Sequence, residues 1–320
     1  MTFTDKLTSI TTIKKLLSKH NLRPSRALGQ NFLISAQVLR KIVEAADLKP
    51  DDTVVEIGAG LGALTVELAK RVKKVIAFEI DKKLLPILKD NLQDFNNVEI
   101  VDKDFLTASL PEGNYKVVAN LPYQITSAAI EKILEAEPRP ELIILLVQKE
   151  VAERICAKSG EMSLLSVAVQ YYGQPEIIAM APRNNFWPAP KVDSAILKVT
   201  MRSMVISSAS SSIISSETRN PPQSSSSLAG DLSLHSVPFE MTKKTPRDDQ
   251  KEKSQDERFF KLVKAGFSHR RQMLKNNLRA IMPEEKLLAL FKQLNLNPKV
   301  RAQELTIDQW KTLAKVWYDY

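Results

Sequence analysis

The sequence is poor in the residues that fix a chain by cross-links or metal ions. Its one cysteine, Cys156, has no partner for an internal disulfide, and the pattern Lys149-Glu150-Val151-Ala152-Glu153-Arg154-Ile155-Cys156 makes it a structural residue on a helix. A reducing compartment is therefore expected. The histidines, His20, His235 and His269, are scattered and form no cluster with cysteine, so no metal site is expected. No apolar run approaches the ~18 residues of a membrane span, and the longest, LIILLV at 142–147, suits a buried strand. The amino-terminal MTFTDKLTSITTIKKLLSKH contains Asp5, lacks arginine and shows no cleavage-like break, unlike a transit peptide. The expectation is a cytoplasmic protein without membrane contact, with monomer as the default state.

Negative charge is in short supply as well. Against 46 Lys+Arg stand 37 Asp+Glu, a net charge of +9. That balance favours a polyanionic partner, although a basic but unspecialised surface accounts for it equally well. The 43% hydrophobic and 26% charged composition is that of an ordinary globular protein, and 320 residues suffice for one large core and a smaller one.

Residues 53–147 alternate short β-rich runs with longer helical patterns. TVVEI, KVIAFEI, NVEIV, YKVVAN and ELIILLV read as strands; GALTVELAKRV, KKLLPILKDNL and SAAIEKILEA read as the helices between them. Such alternation implies βαβ units, a parallel sheet with helices on both faces, and right-handed crossovers. A helix, SLLSVAVQYYG, and strands around EIIAMA and SAILKVT continue the pattern to about residue 200. The texture then turns Ser-rich and aperiodic, so 203–255 is expected to be a flexible insertion between a domain at 1–202 and a small helical domain at 256–320. In the latter, ERFFKLVKAGF, HRRQMLKNNLRAIM, EEKLLALFKQL and TIDQWKTLAKVW each read as a helix.

The chemistry-bearing residues sit at strand ends. Val54-Val55-Glu56-Ile57-Gly58-Ala59-Gly60-Leu61-Gly62 closes the first strand and opens a helix, where glycine permits a sharp turn and close approach to a ligand. Alone this is close to a dinucleotide fingerprint and equally to a plain tight turn. Glu79 ends the second strand, 21 positions beyond Gly58, where a carboxylate can accept both ribose hydroxyls. Asp104 follows the third strand in VDKDF and could accept a hydrogen bond from an adenine amino group. Each acid alone is more often a cap or a solvated carboxylate; at successive strand ends they outline a nucleoside pocket, for NAD or for S-adenosylmethionine.

Asn120-Leu121-Pro122-Tyr123, after the strand YKVVA, separates those two. Adenine's exocyclic amine is a poor nucleophile because its lone pair is delocalised into the ring. The Asn120 amide oxygen and the Leu121 carbonyl can accept its two N–H bonds and aim the lone pair at a methyl group. Pro122 stiffens the loop and Tyr123 offers a stacking face.

Taken in order, GQNFL at 29–33, EIGAGLGALT at 56–65, FEID at 78–81, NLPY at 120–123 and NFWPAPKVDSAIL at 185–197 resemble the ribosomal RNA adenine dimethyltransferase family of the KsgA type. The similarity covers roughly residues 12–200 and resumes in FSHRRQMLKNNL and RAQELT. It implies a Rossmann-like methyltransferase domain with a small helical domain, and dimethylation of the 6-amino groups of two adjacent adenosines in a hairpin loop near the 3′ end of small-subunit ribosomal RNA, in immature 30S subunits. It also implies that Gln30, Asn31, Leu33, Gly58, Gly60, Glu79, Ile80, Asp104, Phe105 and Asn120 form the S-adenosylmethionine site, with S-adenosylhomocysteine as product. Asn120, Leu121, Pro122, Tyr123 and Phe186 form the acceptor site, Phe186 and Tyr123 sandwiching the flipped adenine, while Trp187 reads as an ordinary core aromatic. Lys191 is a phosphate or fold contact, and Arg270, Arg271, Lys275 and Arg279 are RNA contacts on one amphipathic helix. Rival readings are an Erm-type enzyme acting on large-subunit RNA, a noncatalytic RNA-binding factor that kept the fold, and an NAD-dependent oxidoreductase for which NLPY has no use.

Overall fold

The computed structural model describes residues 6–202 and 255–318. The expected Ser-rich insertion at 203–255 falls, but for Gln255, outside the described residues.

Helix α1 (Ile10–Lys19) buries Ile13 and Leu17 on one face, and after a loop the chain forms the short strand β1 (Phe32–Leu33). Helix α2 (Ala36–Ala45) starts at Ser35, whose side chain accepts a hydrogen bond from Val38 N, an N-cap that satisfies one of the first turn's free amides. Then come the alternating elements anticipated from hydropathy: β2 (Thr53–Ile57), α3 (Ala63–Ala69), β3 (Lys74–Phe78), α4 (Leu85–Leu92), β4 (Val98–Val101), β5 (Lys116–Asn120), α5 (Thr126–Leu134) and β6 (Leu142–Gln148). All seven residues of β6 are buried, as expected for a central strand covered on both faces. Helix α6 (Lys149–Ile155) and α7 (Leu164–Tyr172), the latter opened by a Ser163/Ser166 capping box, lead to β7 (Gly173–Ala181), β8 (Phe186–Trp187) and β9 (Ser194–Met201).

The main sheet has seven strands in the order β4-β3-β2-β5-β6-β9-β7. Strands β2 to β6 are parallel, whereas β9 runs antiparallel between β6 and β7. The chain winds outward from β2 through β3 to β4 and then returns to β5 on the other side of β2. The order therefore reverses between β2 and β5, the place where a doubly wound sheet opens a crevice at its carboxyl edge. Beside that edge, β1 and β8 form a two-residue antiparallel ladder pairing Phe32 with Trp187 and Leu33 with Phe186.

The carboxyl-terminal region folds as α8 (Gln255–Gly266), α9 (Leu274–Leu278), α10 (Glu284–Gln293) and α11 (Ile307–Tyr318). One buried cluster runs from the sheet residues Val55, Ile57 and Val117 through α7 to Phe259, Leu278 and Trp310. Its polar clasp is Asp256, which accepts from Arg139 Nη2 at 2.9 Å, Tyr171 Oη at 2.9 Å and Tyr172 Oη at 3.0 Å. The ring of Tyr171 stacks on Phe259 with centroids 4.0 Å apart.

One expected helix is broken. His269, Arg270 and Arg271 do not continue into the helix of Lys275; they form a turn ahead of the five-residue α9. Helix α8 ends at Gly266, where any side chain would strike the Trp310 ring, and Met273 is extended at ψ 144°. Asn277 Nδ2 then donates to Gly266 O at 2.6 Å, a carbonyl the break leaves without a helical partner, and to His269 O at 3.1 Å, which also accepts from Gln272 N at 3.0 Å.

Candidate active site

A cavity of about 210 Å³ opens at the switch point, lined by the ends of β2, β3 and β5, the loops after β4 and before β1, and Phe186. Every residue expected at the nucleoside and acceptor sites faces this one cavity: Gln30, Asn31, Leu33, Gly58, Gly60, Glu79, Ile80, Asp104, Phe105, Asn120, Leu121, Pro122, Tyr123 and Phe186.

The glycine loop is shaped by backbone conformation. Gly58 and Gly60 have φ of +76° and +59°, where a β-carbon is strained, yet one added there would meet Pro122 or Phe32 only at 3.5–3.6 Å, an ordinary contact. Against the protein's own atoms, glycine is required here by torsion more than by crowding. Four of the loop's amides are also committed internally. Gly58 N and Ala59 N donate to Phe78 O at 2.8 and 3.0 Å, Gly60 N to Glu79 Oε2 at 2.7 Å, and Gly62 N to Ala59 O at 2.9 Å. These four amides are therefore not available to a ligand phosphate.

Glu79 is 5% exposed and holds its own neighbourhood together, its other oxygen accepting from Asp81 N at 2.8 Å. Burial raises its pKa, opposed by those backbone hydrogen bonds. Each carboxylate oxygen keeps a second lone pair for a ligand hydroxyl. Asp104 Oδ1 accepts from Leu106 N at 2.9 Å. Phe105 is buried edge-on to Phe78 at 5.5 Å, whereas Ile80 is 49% exposed, an apolar side chain left open at the rim.

The loop before β1 joins the two ends of the cavity. Gln30 Nε2 donates to Asp81 Oδ2 at 2.7 Å on the Glu79 side, and Asn31 O accepts from Asn120 Nδ2 at 3.5 Å on the other. Asn120 Oδ1 meets no protein donor among the described residues, and neither does Leu121 O, while the next carbonyl, Pro122 O, is taken by Ile125 N and Thr126 Oγ1. Two unengaged acceptors thus stand side by side at the end of β5. Tyr123 Oη is tied to Ser194 Oγ at 2.7 Å, and burial raises its pKa. Phe186 is 3% exposed against Leu33, whereas Trp187 is half-buried with Lys14 Nζ 5.4 Å from its ring centroid.

Lys191, Arg270, Arg271, Lys275 and Arg279 lie outside the cavity. Lys191, Arg270 and Arg271 are exposed, Lys275 is half-buried, and Arg279 pairs with Glu284 at 2.5 Å.

One cavity residue was named in the sequence only as part of the glycine motif. Glu56, on β2, is 2% exposed, and its pKa is pushed up to about 8. Burial is the main cause and the neighbouring Glu79 adds to it; the Thr65 hydroxyl opposes without making a full hydrogen bond, since Glu56 Oε2 and Thr65 Oγ1 both lack partners. The nearest sequence signal is the position itself, an acid two residues before Gly58 inside an apolar strand.

Such a sheet, with its antiparallel last strands and its crevice at the switch point, is that of a Rossmann-like methyltransferase. The model of the family described as ribosomal RNA adenine dimethylase matches residues 19–213. Ribosomal RNA small subunit methyltransferase A of Dehalococcoides mccartyi strain 195 is 38% identical over 95% of this chain and 92% of its own length. Its counterpart in Clostridioides difficile is 34% identical over 98% and 97%. The chain belongs to the ribosomal RNA adenine dimethylase family. Among solved structures, the 23S rRNA methyltransferase ErmE superposes with a TM-score of 0.65 at 28% identity, covering 89% of this chain and 98% of that one. A dimethyladenosine transferase from Plasmodium falciparum, at TM-score 0.68 and 23% identity over 90% and 97%, shares the fold. No helix among the described residues is long and apolar enough to cross a membrane, and no cluster of metal-ligating side chains occurs among them.

Proposed function

We propose that this protein transfers methyl groups from S-adenosylmethionine to the 6-amino group of adenosine in small-subunit ribosomal RNA, twice on each of two adjacent adenosines in the hairpin loop near the 3′ end. The reading includes an immature 30S subunit as substrate and a monomeric cytoplasmic enzyme. The observation that carries it is the pair of unengaged acceptors, Asn120 Oδ1 and Leu121 O, in one cavity with Glu79 and Asp104. The choice of subunit rests on the names of relatives at 34–38% identity.

When bound, S-adenosylmethionine supplies a methyl group on a sulfonium, already a good leaving group. The protein's part is then positioning and electrostatics rather than strong base catalysis. Glu79 binds the ribose hydroxyls through its remaining lone pairs, Asp104 the adenine amine, and Ile80 and Phe105 flank that base. Gln30, Asn31 and Leu33 close the site over Gly58 and Gly60. At the acceptor end Asn120 and Leu121 take the two N–H bonds of the target amine, and Pro122 holds the loop. Tyr123 and Phe186 stack on the target adenine, at ~1–3 kcal/mol per stacked base, offsetting part of the cost of flipping it. Lys191, Arg270, Arg271, Lys275 and Arg279 contact phosphates.

Asn120→Ala tests the core of this reading. Turnover should fall by about 100-fold or more, as when a preorganised polar group is removed from a transition state, with RNA affinity nearly unchanged. Near-normal turnover would remove the amine-orienting role.

A further inference from the structure

The amino-terminal surface carries a charge asymmetry that the proposed sites leave unused. Between Asp5 and Glu44 the sequence holds no acidic residue, while Lys14, Lys15, Lys19, Arg23 and Arg26 fall on α1 or the loop after it. All five are exposed, and none is ion-paired among the described residues. A solvated helix face usually mixes both signs; this segment contributes charge of one sign only.

Contacts fix where this face lies. Lys14 sits over the ring of Trp187, the neighbour of Phe186 on the cavity wall. Arg26 O accepts from Gln124 Nε2 at 3.2 Å, one residue beyond Tyr123. Gly29, at φ +62°, a backbone conformation that favours glycine, brings the loop against the Gln124 amide. The basic segment therefore touches the cavity next to both aromatic residues of the acceptor end.

We propose that α1 and the loop through Arg26 form a phosphate-binding face that guides RNA into the acceptor end of the cavity. The inference rests on the methyltransferase reading above and adds an RNA-binding surface to it. An anionic membrane would also attract these charges, but membrane-bound helices insert an apolar face. Most of the apolar face of α1 is already spent: Ile13 and Leu17 pack against Leu61, Leu84 and Ile87, and only Ile10 at its first turn is left exposed. Polyanionic RNA, bound through charge alone, fits the surface that remains.

The test uses the full chain with Lys15, Lys19, Arg23 and Arg26 changed to Gln, which removes charge from exposed sites and leaves the core untouched. Affinity for a labelled RNA hairpin with an adenosine-containing loop is measured across a salt series, beside an Arg270→Gln/Arg271→Gln variant and the unaltered protein. The fourfold variant should bind at least about tenfold more weakly at physiological salt, and each lost cation should reduce the slope of log affinity against log salt by up to about one. S-adenosylhomocysteine binding should stay unchanged. Unaltered RNA affinity and slope, in a variant that still binds S-adenosylhomocysteine, would overturn the proposal and leave the methyltransferase reading standing. The proposal would equally fall if the substitutions released the protein from phosphatidylserine vesicles while sparing RNA binding. Failure of the unaltered protein to bind or methylate RNA would instead count against the methyltransferase reading on which the proposal depends.

Discussion

Tyr123 and Ser194 are joined hydroxyl to hydroxyl at 2.7 Å, across 71 positions of sequence. Ser194 is fully buried and its backbone is held from both sides, paired with Gln148 of β6 and with Ala181 of β7. Its hydroxyl is thus a fixed point on the sheet, and the bond anchors the hydroxyl end of the Tyr123 ring at the cavity.

Ser194 should therefore act on turnover through Tyr123. A neutral hydrogen bond contributes about 1 kcal/mol, so Ser194→Ala should lower kcat/KM several-fold. In a Tyr123→Phe background, where the bond is already gone, the same substitution should have little further effect. Additive losses would show that Ser194 serves packing alone.

Glu79 joins the glycine loop to the proposed ribose site. Glu79→Ala should weaken S-adenosylhomocysteine binding by at least about tenfold in calorimetry and leave RNA affinity nearly unchanged. It also strands two backbone donors, at about 1–3 kcal/mol each. Glu79→Gln, which keeps the shape and one acceptor oxygen, separates folding from binding. Unchanged cofactor affinity in both variants would take Glu79 out of the site.

The buried Glu56 predicts a pH dependence of stability. Its carboxyl titrates near 4.5 when the chain is unfolded and at about 8 when folded, so between those values the folded state binds more protons. Stability is then greatest below about pH 4.5 for this group and falls as pH rises to about 8, by up to a few kcal/mol. Glu56→Gln, neutral at every pH, should flatten that slope and raise the denaturation midpoint at pH 9 relative to the unaltered protein. Parallel pH profiles for the two would show that Glu56 is not held protonated.

Local pattern carried much of this architecture, and long-range packing carried the rest. The runs TVVEI, KVIAF and KVVAN are legible as strands because burial on both faces leaves their centres apolar. The reversal of β9 is not legible, since strand direction leaves no mark in SAILKVT. The β1–β8 ladder, two residues a side, is too short for any periodicity. The need for glycine at the end of α8 depends on Trp310 lying against Gly266, more than forty positions away in sequence. The cavity residues were legible because glycine, acid and NLPY recur at successive strand ends, while the tie between Asn120 and Asn31 and the burial of Glu56 exist only once the sheet is assembled.

The central claim is tested most directly by methyl transfer from labelled S-adenosylmethionine, offered immature small subunits and large-subunit RNA in parallel, with product nucleosides resolved by mass spectrometry. The account predicts dimethyladenosine in the small-subunit RNA alone. Label in the large-subunit RNA, or none in either despite tight RNA binding, would contradict it.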